Sequence, residues 1–598
     1  MTTSAQALAD APPGPGLCAR LAGIDPARVT GGDTVDLLRA WRRLRSYVDA
    51  QEMTVMAELG RRDPDAGAGV IARLAEPDPA CGREIAAALH LTERTAYREH
   101  GVADVLVHRI PDVLAALARG DIDRGRAVVF AELLEPLTDA QARRVCDRLL
   151  PKASGLNSSQ LRYRLRRMVI SIDPEAARRR YEKALRKRGV VCYLDEDGVA
   201  TFTAFGLDPT AAQAACERLD ALARAIRGAG HPDSISVIRA DLTMALLAGS
   251  LHAMSHARIV ETMLARAADA ALGGAGDDTV ETGTPSTARS AGTSDGRPAD
   301  DTERDTDLDR GPGPGSDDAP EHAPPGIDIR IRLSTLLGHD DHPGEIPGLG
   351  PVPADTGRDC VARHRHAEWR FAVTDPAGRL LLGGVTRRRP PITRTRSLPR
   401  QAHGGTVELQ VPADLLAHLA ADPPPGWEAL IADLATRYGR RAELDAELDT
   451  RPEDRFPHPM LRRHVEIRDR TCTFPGCQRP ARKAQQDHTR DHQYGGPSVT
   501  GNLGPLCVLH HALKTAGHWR VEQPEPGLFR WQSPRGKTYD TRGEPVCPSL
   551  PDPLPGGDEY PPSAPNQADV DLHELSRYRS PTPRPDPDGP ADDRAPPF

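Results

Sequence analysis

The chain has 598 residues, 77 of them Lys or Arg and 85 Asp or Glu, so its formal net charge is −8 at pH 7. This length predicts roughly three or four structural units, and 57 Pro and 53 Gly indicate long connecting segments. The first residues lack the basic and apolar regions of a secretory signal, and no apolar run approaches the ~18 residues of a membrane span. We therefore expect a cytoplasmic protein that does not cross a membrane.

Residues 31–272 have the hydrophobic spacing of a mainly helical domain, whereas residues 1–30 before it are predicted to be disordered. A long charged segment of this domain carries a heptad-like apolar stripe, which is typical of a helix that packs against other helices. The stripe consists of Leu37, Trp41, Leu44, Val48 and Val55. The alternative is a coiled-coil seam through which two copies of the chain form a homodimer.

Two further segments of the helical domain have features of nucleic-acid binding. Residues 82–100 predict a helix, a turn capped by Thr92 and a second helix, as in a helix-turn-helix DNA reader or a plain helical hairpin. Residues 160–189 hold 11 basic and 3 acidic residues, which favours either phosphate contacts or a solvated helix face. A β-hairpin that turns at residues 195–198 is predicted next.

The remaining chain divides into a linker, a connector and a tail around the segment that carries the chemistry. Residues 273–326 contain 13 acidic and 4 basic residues among Gly, Thr, Pro and Ser, and such a composition predicts a disordered acidic linker. Residues 327–454 predict a small α+β connector, with a hairpin that turns at residues 375–378. Residues 546–598 are rich in Pro and predict a disordered tail.

Four soft metal ligands are spaced as two close pairs within residues 455–545. Cys472 and Cys477 are separated by four residues, and Cys507 and His510 by two. Tetrahedral zinc requires two such pairs, because each pair supplies two ligands from one turn and folding brings the pairs together. The alternatives are buried apolar cysteines or disulfides, and disulfides do not suit a cytoplasmic chain. The spacing therefore predicts a structural Zn²⁺ site.

A second group of polar residues is interleaved with the four zinc ligands. Asp487 and His488 lie on a predicted strand, and Asn502 precedes a predicted helix. That helix carries both His510 and His511, which point to different sides of it. One helix can therefore serve both a closed zinc site and a second, open site.

The order Asp-His, Asn, His-His and Lys inside a frame of cysteine pairs resembles the HNH endonucleases, whose core is a ββα-metal finger. The resemblance implies that His488 is the general base that activates water and that Asn502 holds its imidazole in place. It also implies that Asp487 and His511 bind a catalytic divalent cation, Mg²⁺, Mn²⁺ or Zn²⁺. Phosphodiester hydrolysis needs a base of near-neutral pKa and a cation beside the leaving oxygen, and these residue types supply both.

The local charge predicts DNA as the partner of this segment. Residues 455–544 hold 15 Lys or Arg against 8 Asp or Glu, a balance of +7, so the rest of the chain carries −15. Lys514 is a candidate phosphate contact, with a solvated helix face as its alternative, and Arg490 is a second candidate. Arg supplies 71 of the 77 basic residues, so a single Arg carries little information.

The order of the parts resembles bacterial proteins that combine an HNH endonuclease signature with an N-terminal domain of unknown function 222, the 13E12 repeat family. The motifs that carry this resemblance are ALARGDIDRGRAVVFAELL, LLGHDDHPGEIPGLGPVPA and TCTFPGCQRPA. The resemblance covers residues 35–265 and 327–545. The chain departs from the family at Gln485 and Gln486, where the family tends to be more apolar.

The predicted fold is therefore a multidomain α+β chain. It comprises a mainly α-helical N-terminal domain, a disordered acidic linker, a small α+β connector and a C-terminal zinc-stabilised ββα-metal (HNH) nuclease domain. The predicted function is metal-dependent hydrolysis of phosphodiester bonds in DNA. The alternatives are a zinc-stabilised DNA-binding protein whose HNH fold no longer cuts, and an N-terminal half that serves only in protein interaction or oligomerisation.

Overall fold

The computed structural model describes residues 4–66, 69–194, 199–247, 251, 254–273, 326–390 and 404–554. Within these ranges the chain combines a helical N-terminal region with small β-sheets, so the predicted α+β class is confirmed at this level. The predicted acidic linker lies outside the described residues apart from its first and last positions. The predicted hairpin turn at residues 195–198 and the tail beyond residue 554 also lie outside them. Among the described helices, none combines the length and the apolar character that a membrane span needs.

The N-terminal region is a bundle of helices arranged around one long helix. The helices are α1 Ala5–Asp10, α2 Pro15–Ala22, α3 Gly31–Gly60, α4 Cys81–Leu89, α5 Glu93–Asp104, α6 Pro111–Ala118, α7 Arg124–Leu134, α8 Asp139–Ala153, α9 Ser158–Ile172 and α10 Pro174–Arg186. Helix α3 begins after Thr30, whose hydroxyl accepts a hydrogen bond from the backbone amide of Asp33. Its first half packs against α1 and α2, and its second half joins the main core with α4, α5 and α6.

Two predictions for this region are wrong. Residues 4–30 are not disordered, because α1 and α2 bury Leu8, Leu17 and Leu21 against α3. The apolar stripe of α3 is also not the buried face, since only Leu37 and Leu44 of that stripe are buried. Small residues let the neighbouring helices approach instead, so the buried face passes through Ala40, Ala50, Ala57 and Gly60.

The predicted helix pair at residues 82–100 is present as α4 and α5, and the hydroxyl of Thr92 caps α5 by accepting from the amide of Thr95. The basic segment forms α9 and α10, which are separated at Pro174 as predicted. A hairpin and three further helices follow, with bounds β1 Gly189–Leu194, β2 Ala200–Phe205, α11 Pro209–Gly228, α12 Ile235–Leu247 and α13 His256–Gly273. Helices α11, α12 and α13 share a separate small core.

The connector is built on a six-stranded sheet with strand order β5-β4-β3-β8-β6-β7. Its strands are β3 Asp328–Arg332, β4 Gly344–Ile346, β5 Gly350–Val352, β6 Glu368–Thr374, β7 Leu380–Val385 and β8 Thr406–Pro412. Its helices are α14 Leu333–Leu337, α15 Ala354–Arg363, α16 Ala413–Ala421, α17 Glu428–Gly439 and α18 Arg441–Leu448. The central strand β8 runs parallel to β3 and β6, and β6 pairs with β7 through the predicted hairpin. Helices cover the sheet and bury Trp369 and Phe371 in its core.

The C-terminal unit places two short strands beside a short helix. Its elements are α19 Pro459–Asp469, β9 Gln485–His488, β10 Leu503–Leu506, α20 Val508–Thr515, β11 Arg520–Glu525, β12 Leu528–Gln532 and β13 Thr538–Arg542. Strands β9 and β10 are antiparallel, with His488 opposite Leu503 and Asp487 opposite Gly504. Helix α20 follows β10 directly and contacts both strands, which completes a ββα arrangement.

A buried chain of charges connects the three regions. Arg167 of α9 contacts Glu345 of β4 at 3.0 Å, and Glu345 contacts Arg330 of β3 at 2.8 Å. Glu408 of β8 lies 3.9 Å from Arg330 and 2.5 Å from Arg470, the residue that follows α19. Two basic residues of the segment 160–189 therefore pair with carboxylates of the same chain, Arg164 with Glu544 and Arg167 with Glu345.

The segment after β13 is ordered and crosses from the C-terminal unit to the N-terminal helices. Val546, Cys547 and Leu550 are buried. The amide of Leu554 donates to the carbonyl of Ile172 at the end of α9. The prediction that the disordered tail starts at residue 546 is therefore wrong for residues 546–554, which fasten the regions together.

Candidate metal centre and adjacent polar site

The two predicted ligand pairs come together beside α20. The ligand atoms of Cys472, Cys477, Cys507 and His510 all lie within 4.8 Å of one another. A tight turn, closed by the bond from the Cys477 amide to the Phe474 carbonyl, brings the first pair together. The second pair meets because Cys507 is the N-cap residue of α20 and His510 lies in its first turn.

Aromatic side chains hold the histidine of this cluster. The ring of Phe474 stacks on His510 with centroids 4.0 Å apart and 9° between the planes. Trp519 and Trp531 pack on Phe474 in T-shaped arrangements, with ring centroids 5.0 and 5.2 Å from that of Phe474. The imidazole is therefore fixed with its Nδ1 atom directed at the thiols, 3.2 Å from the Cys507 sulfur and 3.4 Å from the Cys472 sulfur.

The chemistry and the spacing of this cluster fit a tetrahedral zinc ion. Ligands at ordinary Zn–S and Zn–N bond lengths are about 3.5 Å apart, close to the sulfur–nitrogen distances observed. All ten cysteines lie in the described part of the chain, and none of them is in a disulfide. Burial raises the pKa of Cys472 to about 12 in the absence of a cation. Three clustered thiols with no disulfide partner are the donor set that a zinc ion stabilises as thiolates.

The ββα arrangement carries the second group of predicted residues. Asp487 and His488 are the last two residues of β9, and the pairing with β10 fixes their positions. His511 follows His510 on α20. The imidazole Nε2 of His511 is 3.2 Å from a carboxylate oxygen of Asp487. The structure thus brings Asp487 and His511 into contact, and His488 is the next residue of β9 after Asp487.

Asn502 closes the loop between β9 and β10 and does not bond to the His488 imidazole. Its side-chain oxygen accepts from the Arg490 amide at 2.8 Å. Its amide group donates to the carbonyls of Arg490 and Pro497, at 3.1 and 2.9 Å. The predicted direct contact with the base is therefore corrected: Asn502 shapes the loop that follows His488.

The same loop explains the Gly-Gly pair in the sequence. Gly495 has a φ of +77°, in the left-handed region that favours glycine. A Cβ on Gly496 would lie 1.8 Å from the carbonyl oxygen of Arg490 and 3.0 Å from the amide nitrogen of Asn502. Only glycine fits there without displacing the loop.

A serine that the sequence analysis overlooked orients His488. The Nε2 atom of His488 is 2.7 Å from the hydroxyl oxygen of Ser498, which is 1% exposed. That hydroxyl donates its hydrogen to the carbonyl of Asp454. Ser498 must therefore accept from His488, so Nε2 carries a hydrogen and Nδ1 keeps the lone pair of the neutral ring. Burial lowers the pKa of His488, although the charge of Asp487 opposes this shift.

Gln485 fixes the orientation of His511 in a similar way. The Nδ1 atom of His511 is 2.6 Å from the side-chain oxygen of Gln485, which can only accept a hydrogen bond. The other ring nitrogen is thereby directed at Asp487. The hydrogen bond with Asp487 raises the pKa of His511, against the opposing effect of burial. Burial alone would raise the pKa of Asp487, but the hydrogen bonds from His511 and Lys514 bring it below its usual value.

Lys514 is engaged inside the site. Its ammonium group lies 2.8 Å from Asp487 and 2.5 Å from Asp491, and it donates to the carbonyl of His488 at 2.6 Å. The side chain is only 10% exposed. This geometry disagrees with the predicted phosphate contact, because Lys514 instead binds the carboxylates of Asp487 and Asp491. Arg490, in contrast, is exposed and uses one guanidinium nitrogen to bond the Tyr494 carbonyl.

Ser498, Gln485 and Asp491 are the residues of this site that sequence reasoning missed. Ser498 and Asp491 lie in the loop between Asp487 and Asn502, where a polar residue is ordinary and carries no signal of its own. Gln485 did carry a signal, since a polar residue at this position departs from the apolar strand expected from the HNH resemblance. The side-chain oxygen of Gln485 accepts a hydrogen bond from His511, which accounts for that departure.

Comparisons with known proteins match the chain in part. Residues 36–241 match the model of a domain of unknown function, DUF222. The chain is 36% identical over 138 residues to the uncharacterized protein Rv3776 of Mycobacterium tuberculosis, which is 23% of this chain and 26% of that protein. It is 34% identical over 153 residues to the uncharacterized protein Rv2100 of the same species, 25% of this chain and 24% of the relative. The chain thus spans about a quarter of the length of these relatives.

No solved structure matches the chain. The DUF222 match ends at residue 241, well before the metal centre and the polar site beside it. The relatives are described only as uncharacterized proteins and assign no chemistry to those residues. The N-terminal helical region of this chain therefore carries a DUF222 domain.

Proposed function

We propose that this protein is a metal-dependent endonuclease of the HNH type that hydrolyses phosphodiester bonds in DNA, with a structural Zn²⁺ bound by its cysteine cluster. The observation that carries the proposal is the meeting of three groups on one ββα unit. His488 is held by Ser498, and its neighbour on β9, Asp487, lies 3.2 Å from His511. A base and a pair of metal ligands are the two elements that hydrolysis of a phosphodiester requires.

His488 has the properties of a general base. Its Nε2 hydrogen is donated to Ser498, which leaves the lone pair on Nδ1 to take a proton from the attacking water. Because burial lowers its pKa, the imidazole is neutral at pH 7 and ready to accept that proton. The proton moves from water to Nδ1 while the water oxygen attacks phosphorus, and the bond to the 3′ oxygen breaks. The released 3′ oxyanion takes a proton from solvent water and becomes a hydroxyl, and the phosphate stays on the 5′ side.

Asp487 and His511 fit a catalytic divalent cation. One carboxylate oxygen and one imidazole nitrogen are adjacent, and His511 is 38% exposed, so the site is open on one side. Mg²⁺ and similar ions are commonly bound by one or two protein ligands together with substrate phosphate oxygens and water. A cation bound there supplies positive charge next to the leaving oxygen. Gln485 orients His511 for that task, and Lys514 holds the second oxygen of Asp487.

The surroundings of the site favour nucleic acid as the substrate. Residues 455–544 carry a balance of +7 in a chain of net charge −8. Exposed Arg490 follows His488 by two residues and can reach a phosphate from the rim of the site.

One observation favours a second candidate, a zinc-stabilised DNA-binding protein that does not cut. The ammonium of Lys514 already lies between Asp487 and Asp491 and neutralises the carboxylate that a catalytic cation would need. If that ion pair persists with DNA bound, the site keeps its shape without binding the cation. The zinc cluster and the basic surface would then serve binding alone.

Supercoiled plasmid distinguishes the two candidates. The full chain is incubated with plasmid in Mg²⁺, Mn²⁺ or Zn²⁺ and in a chelator, and DNA retention is followed on a native gel. The nuclease proposal predicts nicking with at least one ion, its loss in chelator, and its loss in His511→Ala with retention of DNA. Retention without nicking under every ion would favour the non-cleaving candidate, and neither retention nor nicking would contradict both.

A further inference from the structure

Helix α3 exposes a row of large apolar side chains that no described part of the chain covers. Leu38 is 70% exposed, Trp41 42%, Val48 53% and Val55 69%. Isolated exposed apolar residues are ordinary, but four of them along one helix form a continuous surface. This row lies outside the zinc centre and the polar site.

The row follows the spacing of a coiled coil. Its positions are separated alternately by three and four residues, and all six side chains at these positions are exposed. They are Leu38, Trp41, Arg45, Val48, Glu52 and Val55. A repeat of seven residues along one helix matches a left-handed seam with a second helix. The row spans about 26 Å of the helix at 1.5 Å per residue.

We propose that this seam is a dimer interface, where α3 of a second copy of the chain packs in the antiparallel direction. The charges of the helix are the reason to expect a second copy. The first half of this surface carries the exposed Arg45, and the second half carries the exposed Glu52 and the partly exposed Asp49. Arg39 and Arg42 of the first half already pair with Asp36 and Asp123 of the same chain. A two-fold axis places the basic half of one helix against the acidic half of the other.

The antiparallel direction follows from the two charged residues inside the seam. With the two-fold axis at the middle of the row, Arg45 faces Val48 of the other copy, and Glu52 lies one turn away. A parallel pair would instead place Arg45 against Arg45 and Glu52 against Glu52, which repels at both positions. Leu38 meets Val55 at each end of the antiparallel seam, and Trp41 covers the stem of Glu52.

The dimer should be weak and concentration-dependent. The seam is short, and two of its six positions are charged, which lowers stability while it specifies direction. We expect association in the micromolar range. The inference does not depend on the proposed nuclease activity, because it concerns a surface of the DUF222 region alone.

Sedimentation velocity of the full chain over a range of concentrations tests the interface. Val48→Lys should raise the dimer dissociation constant at least tenfold, because it places a cation against Arg45 of the other copy, whereas Leu194→Lys, which changes an exposed residue of β1, should not. Both variants should keep the wild-type circular dichroism spectrum, because both residues are exposed. A chain that stays monomeric into the high micromolar range, or a dimer that Val48→Lys leaves intact, would overturn the proposal.

Charge exchange tests the direction of the helices. Arg45→Glu and Glu52→Arg should each weaken the dimer about tenfold, because each creates like charges across the two-fold axis. The double variant should restore the wild-type dissociation constant. Single variants that leave the dimer unchanged would exclude the antiparallel seam, since a parallel pair only replaces one like-charge contact by another.

Discussion

His510 and His511 are neighbours in the chain, yet their imidazoles serve different sites. His510 directs Nδ1 at the thiols of Cys472 and Cys507 and is stacked on Phe474. His511 turns to the opposite side of α20 and contacts Asp487. The separation follows from helical geometry, since successive residues are about 100° apart around the axis. The two residues should therefore respond differently to the same substitution.

His510→Ala should lose bound zinc and stability, whereas His511→Ala should keep both and lose cleavage. A structural zinc site contributes folding energy directly, and a loss of only about 2 kcal/mol lowers the melting temperature by roughly 4–8 °C. Zinc content by elemental analysis, read beside the melting temperature, measures the difference. Equal zinc content in the two variants would show that His510 is not a ligand.

Ser498→Ala should slow cleavage about tenfold, because it removes one hydrogen bond that orients the base. The hydroxyl accepts from the ring and so stabilises the protonated imidazole more than the neutral one. Its removal should lower the pKa of His488 further, and the acidic limb of the pH–rate profile should move to lower pH. Ser498→Thr retains a hydroxyl and serves as the control. A slower variant with an unmoved profile would mean that Ser498 is only structural.

At the scale of elements, the sequence predicted those strands, helices and ligand pairs that residues close together in the chain specify. The cluster of three cysteines and His510, the strand that carries Asp487 and the helix that carries His511 were predicted because spacing and residue type specify them. The buried face of α3 was predicted only in part, because Trp41 and Val48 looked like core residues, whereas Ala40, Ala50 and Met53 take the buried positions. Only packing against the other helices decides which of two possible stripes is buried.

The loop between β9 and β10 provides a test at this scale. Gly496→Ala places a methyl group against the Arg490 carbonyl, so it should displace the loop and cost about 1–3 kcal/mol. Cleavage should fall about tenfold or more, since Ser498 and Asn502 belong to the same loop, while zinc content stays unchanged. Gly501→Ala is the matched control, because open space surrounds that position. Equal losses in both variants would contradict this explanation of the Gly-Gly pair.

At the scale of the molecule, buried charges join regions that are far apart in sequence. Glu345 lies between Arg167 of the helical region and Arg330 of the sheet, and the network continues to Arg470. Burial alone would raise the pKa of Glu345, but Arg330, Arg167 and Arg470 lower it to about 2. These contacts could not be predicted from the sequence, because partners such as Arg167 and Glu345 lie 178 residues apart and an isolated Arg in this chain carries little information.

The network makes stability depend on pH. A carboxylate whose pKa is lowered in the folded state contributes stability above its unfolded pKa, near 4.5, and loses it as the pH falls toward 2. Glu345→Gln should therefore lower stability at pH 7 by about 3 kcal/mol, and its difference from wild type should shrink below about pH 4.5. Urea unfolding from pH 7 to pH 3 measures this.

Glu175→Gln is the matched surface control for that experiment. Glu175 pairs with Arg179 at 3.2 Å but is 77% exposed, so its loss should change stability by less than about 1 kcal/mol. If Glu345→Gln were as stable as this control at pH 7, the buried network would not hold the regions together.

The rate of plasmid nicking by His488→Ala tests the central claim most directly. With the ion that supports wild-type cleavage, this variant should nick plasmid about 10²–10⁴-fold more slowly than the wild type, the range expected for the loss of a general base. His518→Ala changes an exposed histidine of the same unit and should retain the wild-type rate. Zinc content and DNA retention should be unchanged in both variants. Wild-type nicking by His488→Ala would contradict the assignment of His488 as the base.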